Sequence, residues 1–447
     1  MRSLHLLLLL SLILQCAVGP GSYFLCNKSA ESLKWGENEG DHYPCSREWW
    51  NVDAFFVANG KNWSLTASFE YEMETPACNL FLTLFNLDDG TCYSLGSYGD
   101  EIGALLHEKG DVDVRYEESW MKGRYPHYFV HFERGEFIIN MRYTAVSPPK
   151  FVAEDISNGI LPMGFGYYIY GIIPFCIVEG NISINGNTFP LSGKGYYEHV
   201  WGNWTYGNPL SNPSNFEKVA SAYYHLGKWW LNHHKLSIPS SVTLASDNNM
   251  FGYDWVWATF SNNWSLFYGN ILFWVMKGPV FGILYLVTSD GEYITFCDIH
   301  HEYGKMVYVE EYDVYFPSEI FITAKEGTKK LSLHFSMKTD VHTYWDTNLS
   351  SKYWRAIALW EAPGIVNGYY TDGEINITLN GKCEIEPERQ ISILGHSHMD
   401  VNFFTHHHVP AVKIEIVSHP LGVQIEMDAS FFPFLKTSFS LYFLEGI

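Results

Sequence analysis

The fold class follows from two alternating runs joined by a turn: Tyr128-Phe129-Val130-His131-Phe132-Glu133-Arg134-Gly135-Glu136-Phe137-Ile138-Ile139-Asn140-Met141-Arg142-Tyr143. Apolar and polar residues alternate on both sides of Arg134-Gly135, which is the pattern of a strand with one buried face. Glycine tolerates the backbone angles of a tight turn. The two runs are therefore predicted to pair as a β-hairpin.

The same pattern recurs along the chain, for example over residues 69–73. Turn dipeptides separate the short runs at Asn59-Gly60, Asp89-Gly90, Asn185-Gly186, Asp290-Gly291, Asp372-Gly373 and Asn380-Gly381. No long window has an apolar stripe of helical period, and only residues 216–231 suggest a short amphipathic helix. The sequence predicts an all-β, mostly antiparallel protein, with enough strands for two barrels or sandwiches.

Composition narrows the classes of partner. The chain has 447 residues, 47% of them hydrophobic and 17% aromatic, so general disorder is excluded and two or three domains are expected. It carries 28 Lys and Arg against 49 Asp and Glu, a net charge of -21. Such a surface repels phosphate backbones, so nucleic acid is not an expected partner. Nothing in the composition indicates the oligomeric state.

The N-terminus predicts export. Arg2, a leucine-rich core and small residues up to Ser22 form the pattern of a signal peptide over residues 1–22. No later segment approaches the roughly 20 apolar residues that a membrane-spanning helix requires. Seven Asn-x-Ser/Thr sequons agree with a secreted glycoprotein: Asn27, Asn62, Asn181, Asn203, Asn263, Asn348 and Asn376.

Seven cysteines follow the predicted signal peptide, and an exported chain favours disulfide bonds. Close spacing makes Cys26 with Cys45, and Cys78 with Cys92, the leading pairs. The connectivity stays open, because spacing alone does not establish it and the odd number leaves at least one cysteine unpaired.

The stretch from Gly193 to Trp204 combines the most unusual chemistry. It places Glu198 beside His199 among four large aromatic residues: Tyr196, Tyr197, Trp201 and Trp204. Burial among these rings would raise the pKa of Glu198 and let it hold a proton near neutral pH, and His199 would relay or stabilise that proton. The alternative is an edge strand on which both residues simply meet solvent.

Strand alternation limits how this pair can act. Tyr196 and Glu198 are predicted to share one face, with Tyr197 and His199 on the other. Both members of the pair enter one cavity only if a bulge at the flanking glycines re-aims one of them.

Three motifs in order resemble a known family: Glu48-Trp49-Trp50, then residues 195–202 around Glu198, then residues 255–261 beginning Trp255-Val256-Trp257. Their order is similar to that of the carotenoid 1,2-hydratase and AttH-like family of tandem lipocalin-like proteins, to which kievitone hydratase and fungal lipocalin-like Diels–Alderases are similar. The family usually has Asp where this chain has Glu198. The resemblance implies two antiparallel lipocalin-like (calycin) barrels, over residues 23–248 with an elaborated connection at about 205–250, and over residues 249–447.

The resemblance also implies an activity. Such an enzyme would act without a metal or organic cofactor on a carbon–carbon double bond of a hydrophobic small molecule, a terpenoid or polyene. The reaction would be hydration, isomerisation or a pericyclic cyclisation such as a Diels–Alder reaction. We assign Glu198 and His199 as catalytic residues, with substrate bound by Tyr196, Tyr197, Trp201, Trp50 and Trp257. The alternative is a non-catalytic carrier of an apolar ligand.

A second constellation suggests a different class. His396, His398 and Asp400 precede His406, His407 and His408, and imidazoles with a carboxylate suit a transition metal in a metal-dependent hydrolase. We favour a solvated loop here and predict no metal, because the helical context of such hydrolases is not evident. Gly395-His396-Ser397-His398-Met399 also lacks the last glycine of a serine hydrolase nucleophile elbow.

Overall fold

The computed structural model describes residues 33–73, 76–163, 166–204, 216–233, 241–245, 251–273, 279–310, 314–338, 343–347, 354–392, 396–404, 410–419, 423–430 and 437–443. Strands dominate these residues, which confirms the all-β prediction. The predicted signal peptide, residues 1–22, lies outside the described residues. Within the described chain, no helix has the length and apolarity needed to cross a membrane.

The first sheet contains fourteen antiparallel strands from the N-terminal half: β1 (Arg47–Ala58), β2 (Lys61–Glu72), β3 (Ala77–Asn86), β4 (Cys92–Ser94), β5 (Ser97–Asp100), β6 (Leu105–His107), β7 (Val112–Tyr116), β8 (Ser119–Arg124), β9 (His127–Arg134), β10 (Phe137–Ala145), β11 (Lys150–Phe151), β12 (Ile160–Met163), β13 (Gly166–Ile184) and β14 (Asn187–Asn203). Their spatial order is β4-β3-β2-β1-β14-β13-β10-β9-β8-β7-β6, with β5 beside β3 and both β11 and β12 beside β13.

The remaining strands are β15 (Ser241–Ala245), β16 (Phe251–Phe260), β17 (Ser265–Phe273), β18 (Pro279–Val287), β19 (Tyr293–Phe296), β20 (Asp298–Tyr303), β21 (Met306–Val309), β22 (Val314–Pro317), β23 (Glu319–Glu326), β24 (Lys329–Met337), β25 (Thr343–Thr347), β26 (Trp354–Trp360), β27 (Ala362–Thr371), β28 (Asn376–Ser392), β29 (His396–Phe404), β30 (Pro410–His419), β31 (Val423–Ser430) and β32 (Thr437–Phe443). A second sheet has the order β19-β18-β17-β16-β28-β27-β24-β23-β20, with β26 beside β28 and β25 beside β26. A third sheet, β15-β29-β30-β31-β32, pairs the connection with the C-terminal strands, and β21 pairs with β22 alone.

Helices are few among the described residues. The longest of them is α2 (Phe216–His233), which confirms the short helix predicted over residues 216–231. The others are α1 (Glu154–Ser157) and two short 3-10 helices, η1 (Trp35–Glu37) and η2 (Ile102–Ala104). One large sheet forms a half-barrel and the other a nearly closed barrel, in agreement with two tandem barrels.

The hairpin predicted from the opening stretch is β9 and β10. Arg134 pairs with Phe137, and Gly135 adopts the positive φ of +57° that its turn requires. Tyr128, Val130 and Phe132 on one strand are buried. On the other, Phe137, Ile139, Met141 and Tyr143 are also buried. This alternation places one face of the hairpin in the barrel interior.

Three apolar clusters hold the molecule together. One fills the first barrel and a second fills the other barrel. The third joins the two barrels: it contains Phe55, Tyr196 and Trp204 from the first, and Trp255 and Trp257 from the second. The outer faces of β1, β13 and β14 therefore form the interface with β16–β18, and this interface positions the site described below.

The predicted pairing of Cys78 with Cys92 is wrong, because the strand register separates them. Cys92 lies opposite Phe85, whereas Cys78 lies opposite Asp100. Seven positions along β3 correspond to about 23 Å, and a disulfide tolerates only about 4.4–6.8 Å between Cα atoms. Cys45 is also a free thiol, and Cys26, its suggested partner, lies outside the described residues.

Candidate functional site

Strand β14 presents Glu198 and His199 to opposite sides of the first sheet, as alternation predicts. Tyr196 packs with Val200 in the interface cluster, on the face that carries Glu198. Tyr197 packs with Trp201 in the interior of the first barrel, on the face that carries His199. The strand stays regular here: its one register shift against β13 lies between Ile173 and Cys176. No bulge brings the two residues together.

Glu198 is surrounded by neutral hydrogen-bond donors. Its Oε1 accepts from Trp49 Nε1 at 2.8 Å. Its Oε2 accepts from the Tyr170 hydroxyl at 2.5 Å and from the Tyr196 hydroxyl at 2.6 Å. The antiparallel register places these donors, because Asn51 of β1 and Ile172 of β13 lie opposite Glu198. None of the three donors carries a positive charge.

The environment of Glu198 makes it a proton donor near neutral pH. Burial raises the pKa of Glu198 to about 7, against the hydrogen bonds from Tyr170, Tyr196 and Trp49, which lower it. The same three donors stabilise the carboxylate that remains once the proton has left. The side chain can therefore hold a proton at pH 7 and release it to a base or to an electron-rich carbon.

Glu198 lines a cavity of about 120 Å³ between the two barrels. Aromatic residues form much of its wall: Trp49, Tyr71, Tyr168, Tyr170, Trp204, Tyr253, Trp255 and Phe267. Val152, Leu161 and Ile283 add aliphatic surface. A cavity of about 150 Å³ can bind benzene, so this one encloses a portion of a molecule about the size of a ring.

Other carboxyl groups share the cavity wall, but their partners differ. Glu72 pairs with Arg47 at 2.7 Å, and Asp254 pairs with Arg389 at 2.8 Å. Glu70 accepts from Asn79 Nδ2 at 2.6 Å, and burial raises its pKa to about 7. Glu198 differs from these groups because aromatic side chains donate to both of its oxygens.

Buried donors in the wall are available to a bound molecule, and Trp204 is one of them. Trp204 lines the cavity, and its Nε1 is buried with no hydrogen-bond partner in the described part of the chain. A buried N–H without a partner costs free energy. An oxygen atom of a bound ligand would satisfy it.

His199 belongs to a separate network inside the first barrel. Its Nε2 lies 2.8 Å from Glu48 Oε1, and its Nδ1 lies 3.1 Å from the backbone oxygen of Asn38. Glu48 also accepts from His42 Nδ1 at 2.8 Å and from the Tyr71 hydroxyl at 2.7 Å. This network ties the segment before β1 to the barrel.

The charges in this network reinforce one another. Burial alone would raise the pKa of Glu48, but the hydrogen bonds and charges of His199 and His42 outweigh it and hold the pKa at about 2. Burial lowers the pKa of His199 and outweighs the hydrogen bond and charge of Glu48, which raise it. Both of its ring nitrogens face acceptors, however, so we assign the ring the imidazolium form, in which both donate. His42, Glu48 and His199 are close enough to hold a metal ion, but hydrogen bonds already account for their arrangement.

Most of the predicted substrate-binding residues lie away from the cavity. Tyr197 stacks on Tyr128 at 4.2 Å, Trp201 stacks on His42 at 3.9 Å, and Trp50 stacks on His199 at 4.9 Å. These rings are on the inner face of the first sheet. The structure therefore separates Tyr197, Trp201, Trp50 and His199 from Glu198, because successive side chains of a strand point to opposite sides.

Trp257 and Tyr196 lie in the cluster between the two barrels, on the same side of their sheets as the cavity. Trp257 stacks on Phe55 at 5.3 Å and donates from Nε1 to the backbone oxygen of Pro174 at 2.9 Å. It packs the interface and is absent from the cavity wall. Tyr196 reaches the site through its hydrogen bond to Glu198.

The predicted substrate-binding set did not include Trp49, Tyr170, Trp204 and Trp255, which do line the cavity. Trp49 and Trp255 are in the motifs that carry the family resemblance, so the motifs were informative. The choice of Trp50 over Trp49 failed because an isolated pair of tryptophans does not show which one faces outward. Trp204 ends the candidate stretch, whereas Tyr170 had no sequence feature to distinguish it.

The histidine constellation is only partly described. His396, His398 and Asp400 lie on β29, whose backbone pairs with β15 and β30. The loop predicted for His396, His398 and Asp400 is therefore a strand. Their side chains, and the whole of His406, His407 and His408, lie outside the described residues. The prediction that these residues bind no metal stays a prediction.

Comparison with solved structures identifies the fold of this chain. No protein-family model and no curated protein matches the chain. Among solved structures, an AttH-like protein from Nitrosomonas europaea aligns with a TM-score of 0.53, at 15% identity, over 80% of this chain and 98% of its own. Kievitone hydratase from Nectria haematococca aligns with a TM-score of 0.53, at 11% identity, over 81% of this chain and 94% of its own.

A structure of CghA aligns with a TM-score of 0.49, at 12% identity, over 83% of this chain and 96% of its own. At such low identities the AttH-like protein and kievitone hydratase establish a shared fold and no more. They confirm the tandem-barrel architecture that the three motifs led us to expect.

Proposed function

We propose that this protein is an enzyme that protonates a carbon–carbon double bond of an apolar small molecule in the cavity between its barrels. Hydration or isomerisation of the double bond follows from that step. The observation that carries the proposal is Glu198, a buried acid with a pKa raised to about 7 that lines an aromatic cavity. Sharing a fold with kievitone hydratase, whose name states that it adds water, supports the same reaction class.

The proposed reaction begins with proton transfer. Glu198 in its acid form gives its carboxyl proton to one carbon of the double bond, which leaves a carbocation on the other carbon. In hydration, the oxygen of a water molecule bonds to that carbon, and the Glu198 carboxylate takes back the proton that the added water releases. In isomerisation, the carboxylate instead removes a proton from a neighbouring carbon. No step needs an oxidant or a reductant.

The surroundings of Glu198 stabilise both charges that the proton transfer creates, the carboxylate and the carbocation. Tyr170, Tyr196 and Trp49 donate to the Glu198 carboxylate as it forms. The faces of the aromatic wall attract positive charge by cation–π interaction, worth about 2 kcal/mol or more when desolvated. The donors and the aromatic faces thus stabilise opposite charges at one place, which favours the transition state over the neutral substrate.

The cavity also limits the substrate. A cavity of about 120 Å³ admits a ring or a short branched chain, so a long polyene would enter only by its reacting end. Trp204 Nε1 offers one donor to an oxygen of the substrate. We propose a small terpenoid-like or aromatic molecule that carries at least one oxygen.

A carrier of an apolar ligand is the second candidate. The aromatic wall would serve it equally well, because binding needs burial of apolar surface and no proton donor. A carrier does not require an acid with a pKa raised to about 7, which is why we favour an enzyme.

We also propose that the protein is exported and glycosylated, on the strength of the signal peptide pattern and the sequons. Asn263 and Asn376 are exposed and accessible to a glycan. Expression in a eukaryotic secretory host, followed by mass spectrometry of the medium, tests this. Full-length protein retained in the cells, without loss of residues 1–22, would contradict it.

Untargeted mass spectrometry of extracts incubated with the pure protein identifies the substrate and the reaction. A mass gain of one water indicates hydration, and an isomer of unchanged mass indicates isomerisation. Glu198→Gln should then lower turnover about 10²–10⁴-fold, the usual contribution of a general acid.

The matched control is Glu39→Gln. Glu39 is also buried, with its pKa raised, and accepts from the Tyr128 hydroxyl at 2.6 Å, but it does not line the cavity. We expect this variant to keep its turnover. Full turnover by folded Glu198→Gln would remove Glu198 as the acid and leave a pericyclic reaction, whereas ligand binding without any product would establish the carrier.

A further inference from the structure

Three carboxyl groups meet at the interface between the barrels, and none of them takes part in the hydrogen bonds of Glu198. Asp53 comes from β1 of the first barrel, Glu361 lies just before β27, and Glu384 lies on β28 of the second barrel. All three are buried, at 0%, 3% and 0% exposure. One oxygen of each lies within 4.8 Å of the others.

Neutral oxygen atoms surround this cluster. Thr66 Oγ1 donates to Asp53 Oδ1 at 2.6 Å and also contacts Glu361 Oε2. On the other side, the Ser64 hydroxyl contacts Glu384 Oε1. These two hydroxyls, from β2, bring oxygen atoms of the first barrel against carboxyls of the second.

The cluster has more acceptors than donors. Glu384 Oε2 is buried with no hydrogen-bond partner among the residues that the structure describes. Asn51 Nδ2 donates to Asp53 Oδ2 at 2.9 Å, which places the Asn51 amide against the cluster, and the amide oxygen Oδ1 is buried and likewise unpartnered within the described chain. A buried carboxyl oxygen without a hydrogen-bond donor, here Glu384 Oε2, points to a missing positive partner.

The described neighbours do not supply that partner. Asp53 accepts from the Thr66 hydroxyl and the Asn51 amide. Glu384 contacts the Ser64 hydroxyl, and none of these groups carries a positive charge. Three carboxyls so close together must either hold protons or share a cation.

We infer that Asp53, Glu361 and Glu384 form a calcium site that joins the two barrels. The available donor atoms are all oxygen: three carboxyls and the hydroxyls of Thr66 and Ser64. Hard oxygen ligands in an irregular cage suit Ca²⁺, which accepts six to eight of them, whereas Mg²⁺ demands a regular octahedron and keeps several waters. A divalent ion would also neutralise most of the charge of the cluster.

The location gives the ion a structural role. Asp53, Thr66 and Ser64 belong to the first barrel, and Glu361 and Glu384 to the second, so one ion would fix the relative position of the barrels. Glu361 also lines the cavity between them, which provides a path for the ion to enter. The inference does not depend on the proposed reaction, since no step of that reaction passes through the ion.

Equilibrium dialysis of the full-length protein tests the inference. Protein freed of metal with a chelator should bind one Ca²⁺ per chain at pH 7.5, and Ca²⁺ should raise its melting temperature more than Mg²⁺ does. Ca²⁺ is titrated to about 10 mM, beyond the weakest class of natural calcium sites. No bound Ca²⁺ at that concentration would overturn the inference.

Two conservative variants locate the site. Glu384→Gln and Asp53→Asn should each weaken Ca²⁺ binding at least about tenfold, since even outer partners of a metal change its affinity about 10–100-fold. Glu39→Gln, a buried carboxyl in the interior of the first barrel, should bind Ca²⁺ as the wild type does. Unchanged Ca²⁺ affinity in both cluster variants would place the ion elsewhere and overturn the assignment.

Protons are the competing occupant of the cluster. If the carboxyls are protonated, the wild type binds no Ca²⁺, and Glu384→Gln is at least as stable as the wild type at pH 7.5. That outcome would contradict the calcium site. Should the variants fail to fold, the dialysis and melting experiments on the wild type decide the question alone.

Discussion

Two buried carboxyl groups occupy opposite faces of the first sheet and have opposite properties. Glu48 faces the barrel interior and has a pKa of about 2, whereas Glu198 faces the second barrel and has a pKa of about 7. Their exposures are 0% and 6%, so burial does not explain the difference. Glu48 has two imidazoles as partners, and Glu198 has only neutral donors. The charge of the partner decides which carboxyl stays ionised.

The two groups therefore suit different tasks. A carboxylate that is permanently ionised and paired holds structure together, as Glu48 does for the segment before β1. A carboxyl that is neutral near pH 7, in contact with a cavity, can donate a proton. One pair of adjacent strands carries both, because Trp49 and Glu198 project outward while Glu48 and His199 project inward.

The same chemical change at both positions should have very different effects on stability. Glu48→Gln should lower the free energy of unfolding by about 3–5 kcal/mol, because it removes the charge that pairs with His199 and leaves buried donors facing an amide. Glu198→Gln should change it by less than about 1 kcal/mol at pH 6, where the carboxyl is already neutral. Denaturant unfolding at pH 6 measures both. Equal losses would mean that the two carboxyls share one charge state.

The pH dependence of stability should have opposite signs for the two groups. The folded-state pKa of Glu198, about 7, lies above the unfolded value of 4.5, so this group lowers the free energy of unfolding by about 3 kcal/mol as the pH rises from 4.5 to 7. The folded-state pKa of Glu48, about 2, lies below 4.5, so its contribution is complete above pH 4.5 and is lost as the pH falls toward 2.

The difference in the free energy of unfolding between the wild type and Glu198→Gln isolates the pH dependence that Glu198 causes. Glu198→Gln should gain about 3 kcal/mol on the wild type between pH 5 and pH 8, measured by urea unfolding at several pH values. A difference that does not change with pH would show that Glu198 is ionised throughout and contradict its role as the acid.

A smaller effect, on the pKa of Glu198, is expected from Tyr170→Phe. This variant removes one of the three donors that lower the pKa of this carboxyl, so the pKa should rise by roughly one unit. Once a substrate is known, the pH above which activity declines should move up by the same amount. Tyr128→Phe, which changes a hydroxyl bonded to Glu39, is the control and should leave that pH unchanged.

Much of the strand pattern was predictable from the sequence. The hairpin of β9 and β10 was predicted because alternating side chains and a glycine turn are local properties. The opposite orientations of Glu198 and His199 were predicted for the same reason, since side chains of a regular strand alternate. The motifs around Glu48, Glu198 and Trp255 also indicated the tandem-barrel fold that the solved structures confirm.

The differences from prediction concern the register of the strands and the surroundings of each face of the sheet, and neither is a local property of the sequence. Cys78 and Cys92 are close in sequence but far apart in the sheet. Cys78 lies near the start of β3, whereas β4 places Cys92 opposite Phe85 near the other end of β3, and this register depends on the rest of the sheet. Trp50 and Trp49 are chemically identical, and only the position of the second barrel makes the outward ring part of a cavity. Trp257 faces outward but packs against Phe55, which belongs to the other barrel.

Local residue patterns were enough to predict that this chain forms antiparallel strands, that side chains alternate through Glu198 and His199, and that a carboxyl lies among aromatic rings. These are properties of neighbouring residues. The hydrogen bonds from Trp49, Tyr170 and Tyr196 to Glu198, and the approach of Glu384 to Asp53, are visible only in the folded protein. Burial and hydrogen bonding set a pKa, and both arise between strands that are remote in the chain and become neighbours only when the two barrels pack together.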